Sequence, residues 1–378
     1  MRSARRFHIG PESFTSAEGN ATAFVGYWQG DENLPSRTAL WAVDAFDGEL
    51  HTLYDGGLYF YRAEWRPGGR AIAMTGDTLG YAVTDSALPL TIVDLASGRR
   101  LEIARPDRST YVTNIAWSPD GRWLAYNRAG WPRSPGPCPD AGAWIAAADG
   151  SSNYRLREPR GVGAWTFVGW QPGNSRLYMS EGGQSSGRSL WISALDGTAR
   201  RLPIPATRPQ WLSSPRTGTR IAVRVKERDL GGAHRVTVCN ALGGGDRELG
   251  VIDQTCDVLW SNDGSVVAYT DRPPFQGPVT LRIQAADGSD GRAYSAGSRA
   301  GYEPTVLRWS PDGSRLGVHS NGWYIVDLRQ RTVTLFRGAY FPCGWRSDNR
   351  LICRGREEMA ILSEAGAVER VIPVPHRD

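Results

Sequence analysis

The sequence predicts an all-β fold, a β-propeller of four-stranded antiparallel blades, eight in number, with seven as the alternative. Three observations carry this. A turn phrase, "AWSPDGRWLAY" at 116–126, returns as "RWSPDGSRLGV" at 308–318 and in looser copies along the whole chain. A second strand–turn–strand signal follows every copy. No apolar pattern of helical period reaches useful length.

The copies fall in order. "FTSAEGNATAFVGY" starts at Phe14, "EWRPGGRAIAM" at Glu64, "GWQPGNSRLYM" at Gly169, "LSSPRTGTRIAV" at Leu212, "LWSNDGSVVAY" at Leu259 and "GWRSDNRLICR" at Gly344. The structural anchors are therefore Phe14, Trp65, Trp117, Trp170, Trp211, Trp260, Trp309 and Trp345. Their spacing runs from 36 residues (Trp309 to Trp345) to 53 (Trp117 to Trp170). A recurring unit of this size marks a repeat architecture whose members bury one another's faces. Within each copy Pro presets φ, Asp bonds the backbone ahead of it and Gly accepts positive φ, so the phrase reads as a hairpin between strands A and B. In the loosest copy Trp211 lies two places upstream of its expected position, an even offset that keeps it on the same strand face. Segments such as "LTIVDLASG", "LWISALDG" and "LRIQAADG" then run into a second turn, giving strands C and D. A bare blade leaves both sheet faces open, and Trp supplies the area that neighbours must cover. Residues 1–13 are expected as an N-terminal extension and 14–378 as one propeller domain.

Trp-Ser-Pro-Asp-Gly followed by a hydrophobic strand and a later Asp-Gly turn resembles the PD-type WD-like repeat. It is similar to the propeller of TolB-like proteins and to the propeller domains of prolyl oligopeptidases and dipeptidyl peptidases. The resemblance covers about Phe14 to Val374, and it implies architecture more than activity, because the matching residues build blades. A TolB would carry a separate N-terminal α/β domain, for which no room is expected in this chain, and the hydrolase domain of the peptidases is likewise not expected in it.

Composition narrows the class. The chain has 378 residues, 40% apolar and 22% charged, with 45 Gly, 24 Pro and 15 Trp. No apolar run approaches the length of a membrane-spanning helix. The net charge is +5, and 44 basic residues include a single Lys, Lys226. Acids interleave with the arginines and no five-residue basic run occurs, so no nucleic-acid footprint is expected. "MRSARRFHIG" has a basic start without an apolar stretch behind it, hence no signal peptide in the chain as given. The compartment stays open between cytoplasmic and exported.

Connections between strands B and C are the long ones: 28–38, 76–89, 128–142, 180–188 and 226–234. The A–B and C–D turns are trimmed. Function is therefore expected on the B–C/D–A face. Innermost strands bring an aromatic collar to the channel mouth there: Tyr59, Phe60, Tyr61, Tyr111, Trp165, Tyr302, Tyr340 and Phe341. Arg62, Asn114, Gln254, Asp257 and Glu303 lie among them. Apolar faces with hydrogen-bonding edges suit a peptide or a sugar.

No catalytic constellation is legible. "GQSSG" around Ser185 matches a nucleophile-elbow pattern but falls in a loop between β-strands rather than a strand–turn–helix. The histidines (His8, His51, His234, His319 and His376) show no paired spacing for a metal centre. Segments 149–153 and 287–291 lack the spaced acids of a calcium cage and read as turns. No metal or cofactor is expected. Cys343 and Cys353 flank the last A–B turn directly across from one another, so a disulfide or a pair of buried thiols fits, and Cys138 lies in a Pro-rich loop.

The expected function is a non-catalytic TolB-like module holding a protein or peptide partner, with a small molecule or sugar as a possible ligand, and a monomer as the expected state. The alternatives are a propeller lyase or hydrolase with Asp257, Glu303 and Arg62 at the channel mouth, and a sensor domain detached from a larger chain.

Overall fold

The computed structural model describes residues 6–29, 35–45, 47–56, 59–78, 88–105, 110–130, 139–156, 165–173, 175–181, 189–203, 209–213, 215, 217–226, 234–252, 258–271, 280–289, 291–294, 305–320, 322–336 and 340–374. Among these residues the chain forms eight sheets, each of four consecutive antiparallel strands, and no helix. Blade 1 comprises β1 (Arg6–Thr15), β2 (Ala21–Gln29), β3 (Pro35–Asp44) and β4 (Leu50–Gly56). Blades 2 to 8 repeat this plan over 59–104, 110–155, 165–201, 209–252, 258–294, 305–336 and 341–373. Each innermost strand touches that of the next blade, and the innermost strand of blade 8 touches β1, which closes an eight-bladed ring.

The first blade begins earlier than the Phe14 anchor led one to expect. Arg6 to Ile9 already pair with Gln29 to Gly26, so much of the stretch read as an extension is blade. The cause is local: Phe7 and Ile9 are buried, and the Phe7 ring lies 5.1 Å from that of Trp28 and 5.9 Å from that of Trp41.

The anchors show why the phrase repeats. The Trp65 indole donates to the Phe14 carbonyl at 2.6 Å, Trp117 to Glu64 at 2.9 Å, and Trp170 to Ala116 at 3.0 Å. Trp309 donates to Leu259 and Trp345 to Arg308, both at 3.2 Å. Each indole buries its ring between two blades and places its one donor on the neighbour's backbone just before that blade's own anchor, so no polar atom is left stranded. The same register corrects two anchors. Trp117 pairs with Leu124 and Trp309 with Leu316, and the matching pair in blade 1 is Thr15 with Thr22, so Thr15 rather than Phe14 holds the anchor position. Its hydroxyl lies 3.0 Å from that of Thr22 and donates to the Cys343 carbonyl at 3.2 Å. In blade 5 Trp211 pairs with Arg224, three residues along strand B from Ile221 instead of two. The Trp211 side chain lies outside the described residues.

Three of the A–B turns share one device. The Ser310 hydroxyl donates to Asp312 Oδ1 at 2.7 Å while accepting the Arg315 N–H at 2.9 Å, and Ser118–Asp120 and Ser261–Asp263 repeat the donation at 2.6 Å. Burial alone would raise the Asp312 carboxyl, but bonds from the Ser314 N–H and from the Ser310 and Ser314 hydroxyls, with Arg329 nearby, outweigh it and bring it down to about 2. A folded-state value below the unfolded one contributes stability above the unfolded pKa, lost as the pH falls through about 2. Asp312→Ala should therefore cost about 1 kcal/mol at neutral pH. The gap to the parent should close between pH 4 and pH 2, roughly the window between the two pKa values. A gap independent of pH in acid unfolding followed by circular dichroism would rule this out.

Candidate functional site

The strand ends give the lengths of the connections. B–C links run from Thr78 to Leu88, Gly130 to Gly142, Glu181 to Leu190, Lys226 to His234 and Asp271 to Thr280. In blades 7 and 8 the same links are short, from Ser320 to Gly322 and from Arg354 to Glu358. The longer B–C links thus belong to blades 2 to 6. Residues 79–87, 131–138, 182–188, 227–233 and 272–279, with Ser185 and Cys138 among them, lie outside the described residues.

The collar divides into three groups. Gln254, Asp257, Tyr302 and Glu303 lie outside the described residues, as do the side chains of Tyr59, Phe60 and Tyr61, whose backbone pairs in the A strand of blade 2. Arg62 and Phe341 are exposed, and Tyr111 and Tyr340 are half-buried. The Arg354 guanidinium lies 4.8 Å over the Phe341 ring. Burial raises the Tyr340 phenol, and the adjacent Glu358 carboxylate, which accepts its hydroxyl, raises it further.

Two candidates belong to the scaffold instead. Trp165 is 1% exposed, its ring 6.1 Å from that of Trp191, inside the core with Ile145, Leu156 and Phe167. Asn114 donates to the Phe167 carbonyl at 2.6 Å, and Asn127 clamps the same residue through its carbonyl at 2.9 Å and its N–H at 2.8 Å. Asn114 adopts φ 53° within a break of register between Thr113 and Ala116, a bulge that turns its side chain toward blade 4. Similar breaks occur between Phe167 and Gly169, Val306 and Arg308, and Pro342 and Gly344. Each inserts a residue that simple alternation does not count.

The last of these breaks also decides the cysteines. Pro342, not Cys343, lies opposite Cys353. Cys343 joins the core facing blade 1 and Cys353 the core on the other side of the same sheet, and both are free. Burial pushes the Cys343 thiol up to about 11 and raises that of Cys353 as well. The third described cysteine, Cys239, is buried and pushed up to about 12 by the same cause.

Beside the A–B turns of blades 1, 6, 7 and 8 lies a cavity of about 250 Å³, with Thr15, Asn262 and Arg308 in its wall. Arg308 reaches across blade 8 to donate to the Thr15 carbonyl at 2.8 Å, and Asn262 donates to Pro311 at 3.2 Å. Asp149 accepts the Ser151 N–H at 2.9 Å, and Asp287 accepts both the N–H and the hydroxyl of Ser289, so both segments compared with calcium loops are turns. Among the described residues no group of three or more His, Cys, Asp or Glu side chains could hold a metal ion. No helix there is long and apolar enough to cross a membrane.

No family model and no curated protein matches the sequence. Solved structures do. The chain is similar to an oligogalacturonate lyase in complex with manganese, at 13% identity over 87% of this chain and 90% of that one, TM-score 0.54. It is similar to the β-propeller domain of the Trilobed protease from Pyrococcus furiosus, at 13% identity over 95% and 94%, TM-score 0.50. TolB from Acinetobacter baumannii aligns at 15% identity over 78% of this chain and 66% of that one, TM-score 0.46. These likenesses are to the propeller fold.

Proposed function

We propose that this chain is a non-catalytic binding propeller that holds a protein or peptide partner on its B–C/D–A face. The observation that supports this is the unevenness of its connections: A–B and C–D turns that are short and internally bonded, and B–C links that are long in blades 2 to 6. A rigid ring carrying variable connections on one side suits recognition. Arg62, Tyr111 and Tyr340 remain as described collar candidates, with Tyr59, Tyr61, Asp257, Tyr302 and Glu303 beside them in sequence.

Arg62→Glu combined with Tyr111→Ala should abolish capture of a partner from an envelope fraction and leave the melting temperature within about 2 °C of the parent, since neither side chain is fully buried. A partner retained equally by parent and variant would sink this reading.

A further inference from the structure

In two of the blades an arginine stitches its blade to the next on the face opposite the long links. The residue that opens strand B sits opposite the end of strand C, and in blade 7 it is Arg315, facing Asp327. Its Nε lies 2.9 Å from Asp327, and its Nη1 reaches Glu364 in the C–D turn of blade 8 at 2.8 Å. Arg220 of blade 5 occupies the same position and donates to the Ala286 carbonyl of blade 6 at 2.9 Å. In blade 2 the position is Ala71, opposite Asp94. No arginine spans from there, and a cavity of about 590 Å³ stays open between blades 2 and 3.

The turn beside this groove differs in charge from that of blade 3. The blade 2 turn reads Arg66-Pro67-Gly68-Gly69 where blade 3 has Ser118-Pro119-Asp120-Gly121, so a carboxylate is missing and a guanidinium is added. Arg66 donates Nε to the Gly121 carbonyl at 2.8 Å and lies 5.7 Å over the Trp117 ring. Asp94 already accepts the N–H and the hydroxyl of Ser97, at 2.9 and 2.7 Å. Arg99, from the C–D turn of blade 2, and Arg122, from the A–B turn of blade 3, both line the groove. Among the described residues neither guanidinium makes a hydrogen bond or a close ion pair, although Arg122 is near enough to Asp120 to favour its charged form. Below them Ala71, Ile92 and Leu101 line it with apolar surface.

We propose that this groove is a second recognition site, taking an extended peptide segment of a partner in which acidic and apolar residues alternate. The volume lies in the range of built ligand sites, roughly 300–1,000 Å³. Two arginines without close ion pairs, one from each blade, match carboxylates, and the apolar lining matches the side chains between them. Asp94 and Asp149 leave the groove with a small net positive charge, which disfavours a basic segment. The site lies on the other face of the ring from the collar, so altering Arg62 and Tyr111 leaves it intact.

The test is calorimetry with the peptide Ac-Leu-Glu-Phe-Glu-Leu-NH2. The parent should bind it saturably. Arg99→Glu with Arg122→Glu should weaken binding by at least about tenfold, the loss of one charge-assisted hydrogen bond. Ala71→Arg should abolish binding by closing the groove as Arg315 closes its own; if that variant fails to fold, the charge reversals decide. Three results overturn the proposal: no saturable binding up to about 1 mM, a range that excludes even weak recognition; equal binding of the peptide with Gln in place of Glu; or binding of free 3-phenylpropionate but not of the peptide.

Discussion

Trp117→Ala is expected to lower the free energy of unfolding by about 3–5 kcal/mol, the range for removing a large buried aromatic. The ring is buried in the core between blades 2 and 3, with Leu90, Leu124 and Tyr126. Truncation leaves a cavity that those side chains, on two separate rigid sheets, cannot collapse to fill. It also removes the donor to the Glu64 carbonyl and the surface on which Arg66 lies. Urea denaturation followed by tryptophan fluorescence and by far-ultraviolet circular dichroism would measure it. A loss below about 1 kcal/mol would mean that the anchor is not a joint, because such values belong to surface positions.

Gly19→Ala should cost about 3 kcal/mol, from left-handed backbone strain of roughly 1–2 kcal/mol and overpacking of about 1–3 kcal/mol. Gly19 sits in the A–B turn of blade 1 at φ 70°. A Cβ there would lie 2.5 Å from both the Ser347 N–H nitrogen and the Trp345 carbonyl oxygen, backbone atoms of blade 8. Neither can rotate away. The position matters because no sheet is shared between the two ends of the chain, each blade being built from its own four strands. The seam rests on contacts such as Arg354 Nη1 to the Ile9 carbonyl, Arg346 Nη1 to the Ala45 carbonyl, and the Ile9 N–H to the Arg356 carbonyl. Gly68→Ala is the control: φ is 94° there, but nothing lies within 4 Å of the added methyl. It should cost only the backbone strain, about 1–2 kcal/mol. Equal losses in the two variants, measured by thermal unfolding, would show that the seam is not closely packed.

The ring was legible because its joints are chemical. Trp followed by Ser-Pro-Asp-Gly states both a buried aromatic and the turn beside it, and neither depends on distant residues. Blade 1 was harder to read, since Thr15 fills the anchor position with hydroxyl bonds instead of an indole, and the eye falls on the aromatic Phe14 next to it. The collar was legible only as a position along the strands. Which residues face the channel depends on counting alternation from the anchor, and the bulges at Asn114 and beside Phe167 and Cys343 break that count. Hence Trp165 was placed at a mouth although it is core, and two cysteines on opposite sides of a sheet were set across from one another.

By itself the sequence determined the strand order, the turn chemistry and the lengths of the connections, all consequences of local pattern and spacing. The tertiary structure decided the closure at eight blades, the faces of the inner-strand residues and the open groove beside Ala71. Each of those depends on how one sheet packs against the next, and a side chain's neighbour across a blade interface is some 50 residues away, as with Trp117 and Glu64.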